Sequence, residues 1–91
     1  MTGQLYRKRP VTVEALQFDG DNLGVIMEWI ASQDGHALLQ AGRLLIRTRE
    51  GDMEVSLGDY VIREPRPTED RRFYPCKPDI FAASYEPVVN R

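Results

Sequence analysis

A thiol, an imidazole and a handful of carboxylates beside turns are the groups in this chain that could do covalent or acid–base chemistry. Cys76 could be a nucleophile if His36 served as its base, but forty residues separate them and nothing local brings them together. Held between Pro75 and Lys77-Pro78, Cys76 reads as a small packed hydrophobe. His36 has no second His, no Cys and no paired carboxylate at ligand spacing, so it reads as a solvated loop residue, not a metal ligand or pH switch. Asp59 and Asp79 could form a carboxylate pair for general acid and base work. Each also has a local task, Asp59 in a turn and Asp79 in the first turn of a helix, where negative charge complements the dipole. The sequence has no phosphate-cradling glycine loop and no nucleophile elbow. The expectation is therefore a protein that is not an enzyme, with no catalytic residue, metal or cofactor. An enzyme stands third among the readings and requires a cleft that brings Asp59, Asp79, His36 or Cys76 into hydrogen-bond reach.

Binding chemistry is better represented. Ten of the twelve basic residues are Arg, whose planar fork holds carboxylate and phosphate in two places. Two segments mix cations with aromatics: Tyr6-Arg7-Lys8-Arg9, and Arg71-Arg72-Phe73-Tyr74-Pro75-Cys76-Lys77. Arg7, Lys8, Arg72, Tyr74 and Lys77 could clamp a nucleotide or another anionic small molecule, with cations on phosphate and the ring on a base. Strand alternation separates neighbouring side chains, so such a clamp needs the N-terminal segment beside the strand that carries Tyr74. The competing reading places the aromatics against the core and the cations in water. A formal net charge of −2 argues against general duplex-DNA binding, which relies on many phosphate contacts from a positive surface.

Ninety-one residues make one domain, 1–91, with 42% hydrophobic and 29% charged residues, as ordinary globular proteins have. The apolar runs fall far short of the ~20 residues that span a bilayer, and the first residues lack a secretory signal. With a lone cysteine, a cytoplasmic protein is expected.

The elements that must position these groups follow from periodicity. A β-branched run predicts a central strand over 11–18, stopped by Asp19-Gly20-Asp21-Asn22, whose oxygens could cap the next helix. Leu23, Ile26, Met27 and Ile30 fall at helical spacing over 22–32, with Val25 and Trp29 widening the stripe and Gly35 as the C-terminal cap. A hairpin is predicted from 44–48 and 53–57. Leu44, Ile46 and Thr48 then share a face with Met53, Val55 and Leu57, while Arg47 and Arg49 oppose Asp52 and Glu54. Gly51 suits a left-handed turn position there, and Gly58-Asp59 a second tight turn. Strands over 60–63 and 71–74 flank a polar loop, Pro65 to Asp70, and a short helix begins at Pro78 and ends before Pro87. Residues 86–89 are expected to pair at a sheet edge, and Tyr60, Phe81 and Tyr85 to lie largely in the core. The fold class is α+β: a small, mostly antiparallel, twisted sheet of about five strands, one amphipathic helix packed on it, and a short C-terminal helical turn.

Tyr6-Arg7-Lys8-x-Pro10-Val11-x-Val13-Glu14-Ala15, Gly51-x-Met53, Gly58-Asp59-Tyr60 and Tyr74-Pro75-Cys76-Lys77-Pro78-Asp79-Ile80-Phe81 with Tyr85-Glu86 together resemble a set of small proteins encoded in tailed bacteriophages and prophages. The resemblance spans nearly the whole chain. It implies a phage or prophage accessory protein in the cytoplasm of the host bacterium, and assigns neither an activity nor a site. In that family a short Gly-containing turn replaces the loop found here through Pro65 and Pro67. A non-enzymatic module that binds a protein partner or self-associates is the leading expectation. A small-molecule binder that sequesters a nucleotide is the alternative.

Overall fold

Six short strands and two helices are built from these patterns in a computed structural model, which describes residues 3–7, 11–48, 51–65 and 73–88. In chain order they are β1 (Glu14–Gln17), α1 (Leu23–Ser32), β2 (Ala37–Gln40), β3 (Arg43–Thr48), β4 (Gly51–Val55), β5 (Tyr60–Arg63), β6 (Phe73–Cys76) and α2 (Pro78–Ser84). The class is α+β and every strand pairing among the described residues is antiparallel. The strands divide into two three-stranded sheets, ordered β1-β5-β6 and β2-β3-β4, where the sequence suggested one sheet of about five. The physical reason is burial. Ile26 and Ile30 of α1, Leu44 and Ile46 of β3, Val55, Val61 and Phe73 form one buried cluster, so each sheet turns an apolar face toward the same interior.

Register follows alternation. Leu44 pairs with Val55 and Ile46 with Met53, leaving Arg47 opposite Asp52 on the outer face. Arg47 and Asp52 lie 3.4 Å apart, and Arg43 reaches Glu54 at 3.5 Å. These exposed pairs contribute roughly 0–1 kcal/mol each. Gly51 takes φ +114°, the left-handed backbone expected of it. Arg49 and Glu50 lie outside the described residues. Leu57 does not extend this face: β4 ends at Val55, and Leu57 is exposed in the following turn.

β1 is shorter than the β-branched run and lies at a sheet edge, not in the centre, because β5 occupies its only hydrogen-bonded side among the described residues. The Asp19 to Asn22 cluster caps the loop and not the helix. Asp19 Oδ1 accepts the Asp21 and Asn22 N–H groups, while the Asn22 amide donates to the Gln17 carbonyl. α1 buries Ile26 and Ile30, and Trp29 meets Phe73 edge-on with centroids 4.9 Å apart. Val25 faces solvent, so the buried stripe is narrower than its sequence pattern.

The end of α1 corrects the role of Gly35. Gly35 N–H donates to the Ile30 carbonyl and Asp34 N–H to the Ala31 carbonyl, a Schellman arrangement in which Asp34 holds the left-handed position at φ +62°. Gly35 is needed for a different reason: a Cβ there would stand 2.7 Å from both the Ile30 and Phe73 side chains. Gly35→Ala is expected to destabilise by roughly 1–3 kcal/mol through overpacking. A urea midpoint equal to wild type would show that the Phe73 ring can move aside.

β2 had no counterpart in the sequence reading. It pairs with β3 through a two-residue turn in which Ala41 (φ +50°) and Gly42 (φ +76°) both take positive φ, as a type I′ hairpin requires. Residues 85–88 form no strand, so the predicted edge pairing there is absent; residues 89 onward lie outside the described region.

Candidate functional site

The sheet β1-β5-β6 has two faces. Val61 and Phe73 point into the main core, and Tyr60, Ile62, Tyr74 and Cys76 share the other face, since Tyr60 pairs with Cys76 and Ile62 with Tyr74. α2 covers that second face. Tyr60 stacks on Phe81 with centroids 3.8 Å apart and planes 8° from parallel, and Phe81 stacks on Tyr85 at 4.9 Å. All three rings are half-buried, and the fully buried aromatic is Phe73. The expectation that Tyr60, Phe81 and Tyr85 lie largely in the core is corrected accordingly: α2 is a short outer layer with no fully buried residue. Phe81→Ala is then expected to cost about 2 kcal/mol, half a buried ring plus its stacking, instead of the 3–5 kcal/mol typical of a core Phe. Urea denaturation reads the difference, and a loss above ~3 kcal/mol would place the ring in the core after all.

At the start of this layer lies Asp59, the one buried polar residue among those described, 2% exposed. Gly58 at φ +91° lets the chain turn from Ser56 to Asp59, where Asp59 N–H donates to the Ser56 carbonyl at 2.9 Å. The Asp59 carboxylate returns the bond by accepting the Ser56 N–H on Oδ2 at 2.9 Å. The same oxygen accepts the Lys77 ammonium at 3.1 Å. The Asp59 carbonyl accepts the Phe18 N–H just beyond β1. One residue therefore joins the ends of β1 and β4, the start of β5 and the N-cap of α2. Pro78 at the first helical position and Asp79 in the first turn complete the helix start as their types predict.

Cys76 stands beside this node, half-buried, its Sγ 3.6 Å from the Lys77 carbonyl. Burial, and then the charges of Asp59 and Asp79, push its thiol pKa up. Because the protonated form is favoured, the thiolate fraction at neutral pH falls below that of a free cysteine, and nucleophilicity falls with it. Native labelling by a disulfide reagent is expected to be slower than in denaturant and to accelerate at higher pH than for a free thiol. Asp79→Asn should move that acceleration toward lower pH. Equal native and denatured rates at pH 7 would contradict the assignment.

Of the five residues of the anion clamp, Arg7, Tyr74 and Lys77 are described. Arg7 lies in 3–7, a stretch exposed throughout and joined to no sheet, and the strand that follows it is separated from β6 by β5. Tyr74 is half-buried on β6, and the Lys77 ammonium lies 3.1 Å from Asp59 Oδ2. Lys8, Arg72 and the loop from Arg66 to Asp70 lie outside the described residues. His36 is exposed, with its carbonyl accepting the Arg47 N–H. A shallow cleft of about 240 Å³ lies between Thr12, Val13, Glu14, Arg63, Glu64 and Pro65. It is smaller than the roughly 300–1,000 Å³ of small-molecule sites. Its arginine already donates to Glu14 at 2.9 Å. Among the described residues no three His, Cys, Asp or Glu side chains gather as a metal site would need, and no helix is long and apolar enough to cross a membrane.

The Asp59–Lys77 pair was not anticipated, because the sequence reading treated Lys77 as a free cation of the clamp. Its signal was the conjunction of a Gly-Asp turn with a Lys-Pro helix start, two features whose proximity depends on β5 pairing with β6. Comparison with protein-family models, with curated proteins and with solved structures found no match.

Proposed function

We propose that this protein is a non-enzymatic binding module that acts by self-association, an accessory protein of phage or prophage kind working in the cytoplasm of a bacterial host. The observation that carries the reading is apolar surface left in water by described residues of the folded body. Val25, Leu39, Leu57, Ile80 and Val88 are each more than half exposed. Fully burying such a side chain contributes roughly 1.5–3 kcal/mol, a gain that a second copy covering them would recover. The engagement of Lys77 by Asp59 gives the nucleotide alternative less support, and the phage attribution rests on the sequence resemblance. Light scattering coupled to size exclusion, from micromolar to several hundred micromolar protein, tests the reading. A mass of two or more chains is expected, and the mass of one chain at every concentration overturns it.

A further inference from the structure

The self-association reading leaves open which surface two copies share, and the backbone of one edge answers it. Sheet β2-β3-β4 leaves the outer side of β2 without a hydrogen-bonded neighbour among the described residues. Arg47 N–H donates to the His36 carbonyl at 2.8 Å, and the register continues as Ala37 opposite Ile46 and Leu38 opposite Leu45. In an antiparallel ladder backbone groups point alternately toward and away from the neighbour. His36, Leu38 and Gln40 therefore face β3, and the N–H and C=O groups of Ala37 and Leu39 face outward.

We infer that this edge is a twofold seam at which β2 pairs antiparallel with β2 of a second copy, joining two three-stranded sheets into one of six strands. The inference rests on the self-association reading and adds its location and register. A twofold axis normal to the sheet through Leu38 sets Ala37 opposite Leu39 of the partner subunit, and Leu39 opposite Ala37 of the partner subunit. Each of these two pairs exchanges two hydrogen bonds, so every outward backbone group of the two residues is satisfied. Residues opposite one another keep their faces, because the side-chain period is two, and the apolar faces of both copies remain on one side. Centring the axis on Leu39 instead would leave Ala37 opposite the Ala41 turn.

Side-chain chemistry favours this edge over the others. β4 carries Asp52 and Glu54, β1 carries Glu14 and β6 contains Pro75, each a device that discourages edge pairing. Ala37-Leu38-Leu39-Gln40 has no charge, proline or glycine. Leu39 lies on the face of Leu44, a core residue that is 2% exposed, yet is itself 52% exposed. The core-facing apolar surface thus runs past the edge of the sheet, and the twofold covers it with the same surface of the second copy.

The test uses the full chain with Cys76→Ser to remove the native thiol. Leu38→Cys would sit across the axis from its own copy in a pair that is not hydrogen-bonded, where Cα atoms lie about 4.5 Å apart, within disulfide reach. Mild oxidation should give a covalent dimer with unchanged circular dichroism, whereas Gln40→Cys and Met53→Cys should stay uncrosslinked. Separately, Leu39→Lys should give a folded monomer at concentrations where the wild type is dimeric, its thermal midpoint in dilute solution unchanged. If the wild type is oligomeric while Leu39→Lys keeps its mass and Leu38→Cys fails to crosslink, the seam is wrong and self-association stands. If the wild type is monomeric throughout, both fall.

Discussion

Phe73→Ala is expected to remove about 3–5 kcal/mol, a large part of the 5–15 kcal/mol that holds a typical domain. Phe73 is 1% exposed and belongs to the cluster shared by α1 and both sheets. Its ring meets Trp29 edge-on, and its Cδ2 would lie 2.7 Å from a Cβ on Gly35, so the chain is pressed around it. The edge-to-face contact adds roughly 0.5–1.5 kcal/mol to the area buried, and an Ala leaves a cavity that three separate elements cannot all close. Phe73→Leu should restore more than half of the loss. Urea denaturation of the three proteins decides it. A Phe73→Ala midpoint close to that of Phe81→Ala would mean that the main core does not centre on β6, and the division into two sheets would have to be redrawn.

Asp59→Ala is the second large effect, expected at about 3 kcal/mol. The loss has two unequal parts. The Ser56 N–H loses its carboxylate acceptor inside a part-buried turn, and an unsatisfied buried donor costs roughly 1–3 kcal/mol. The ion pair contributes less, because the Lys77 side chain is 57% exposed and water screens it; about 1 kcal/mol or below is appropriate for that part. Three variants separate these terms. Asp59→Asn keeps an oxygen for Ser56 and drops the charge, and should fall between wild type and Asp59→Ala. Lys77→Met should lose little on its own. The double-mutant cycle of Asp59→Ala with Lys77→Met then reports the pair alone. Lys77→Met as damaging as Asp59→Ala would reverse the order of importance and make the ammonium, not the turn, the reason for burying a carboxylate here.

Much of the local structure was legible because it depends on residues close together in sequence. α1 follows from the spacing of Leu23, Ile26, Met27 and Ile30, and the β3–β4 register from alternation on both sides of Gly51. The Pro78 helix start and the Gly58-Asp59 turn follow from backbone preferences of single residues. β2 was missed because its four residues hold two adjacent leucines and no alternation, and because its turn asks positive φ of Ala41, a residue type that rarely takes it. For the clamp, residue types were readable but the engagement of Lys77 by Asp59 was not, since it depends on β5 pairing with β6.

The sequence by itself determined the α+β class, the amphipathic helix, the turns and the two-faced character of each strand, all set by periods of 3.6 and 2 and by the φ preferences of Gly, Pro and Asp. Only the tertiary structure decided that the strands form two sheets, that Phe73 rather than Phe81 fills the core, that Gly35 is required by a close approach, and that Lys77 is drawn to Asp59. Alternation says that a strand has two faces but not which is buried deeper. That is settled by pairings such as Leu16 with Val61, 45 positions away, and Val61 with Pro75. The apolar area such long-range pairings bury must outweigh the entropy of closing the intervening loops, a comparison no local stretch of sequence contains.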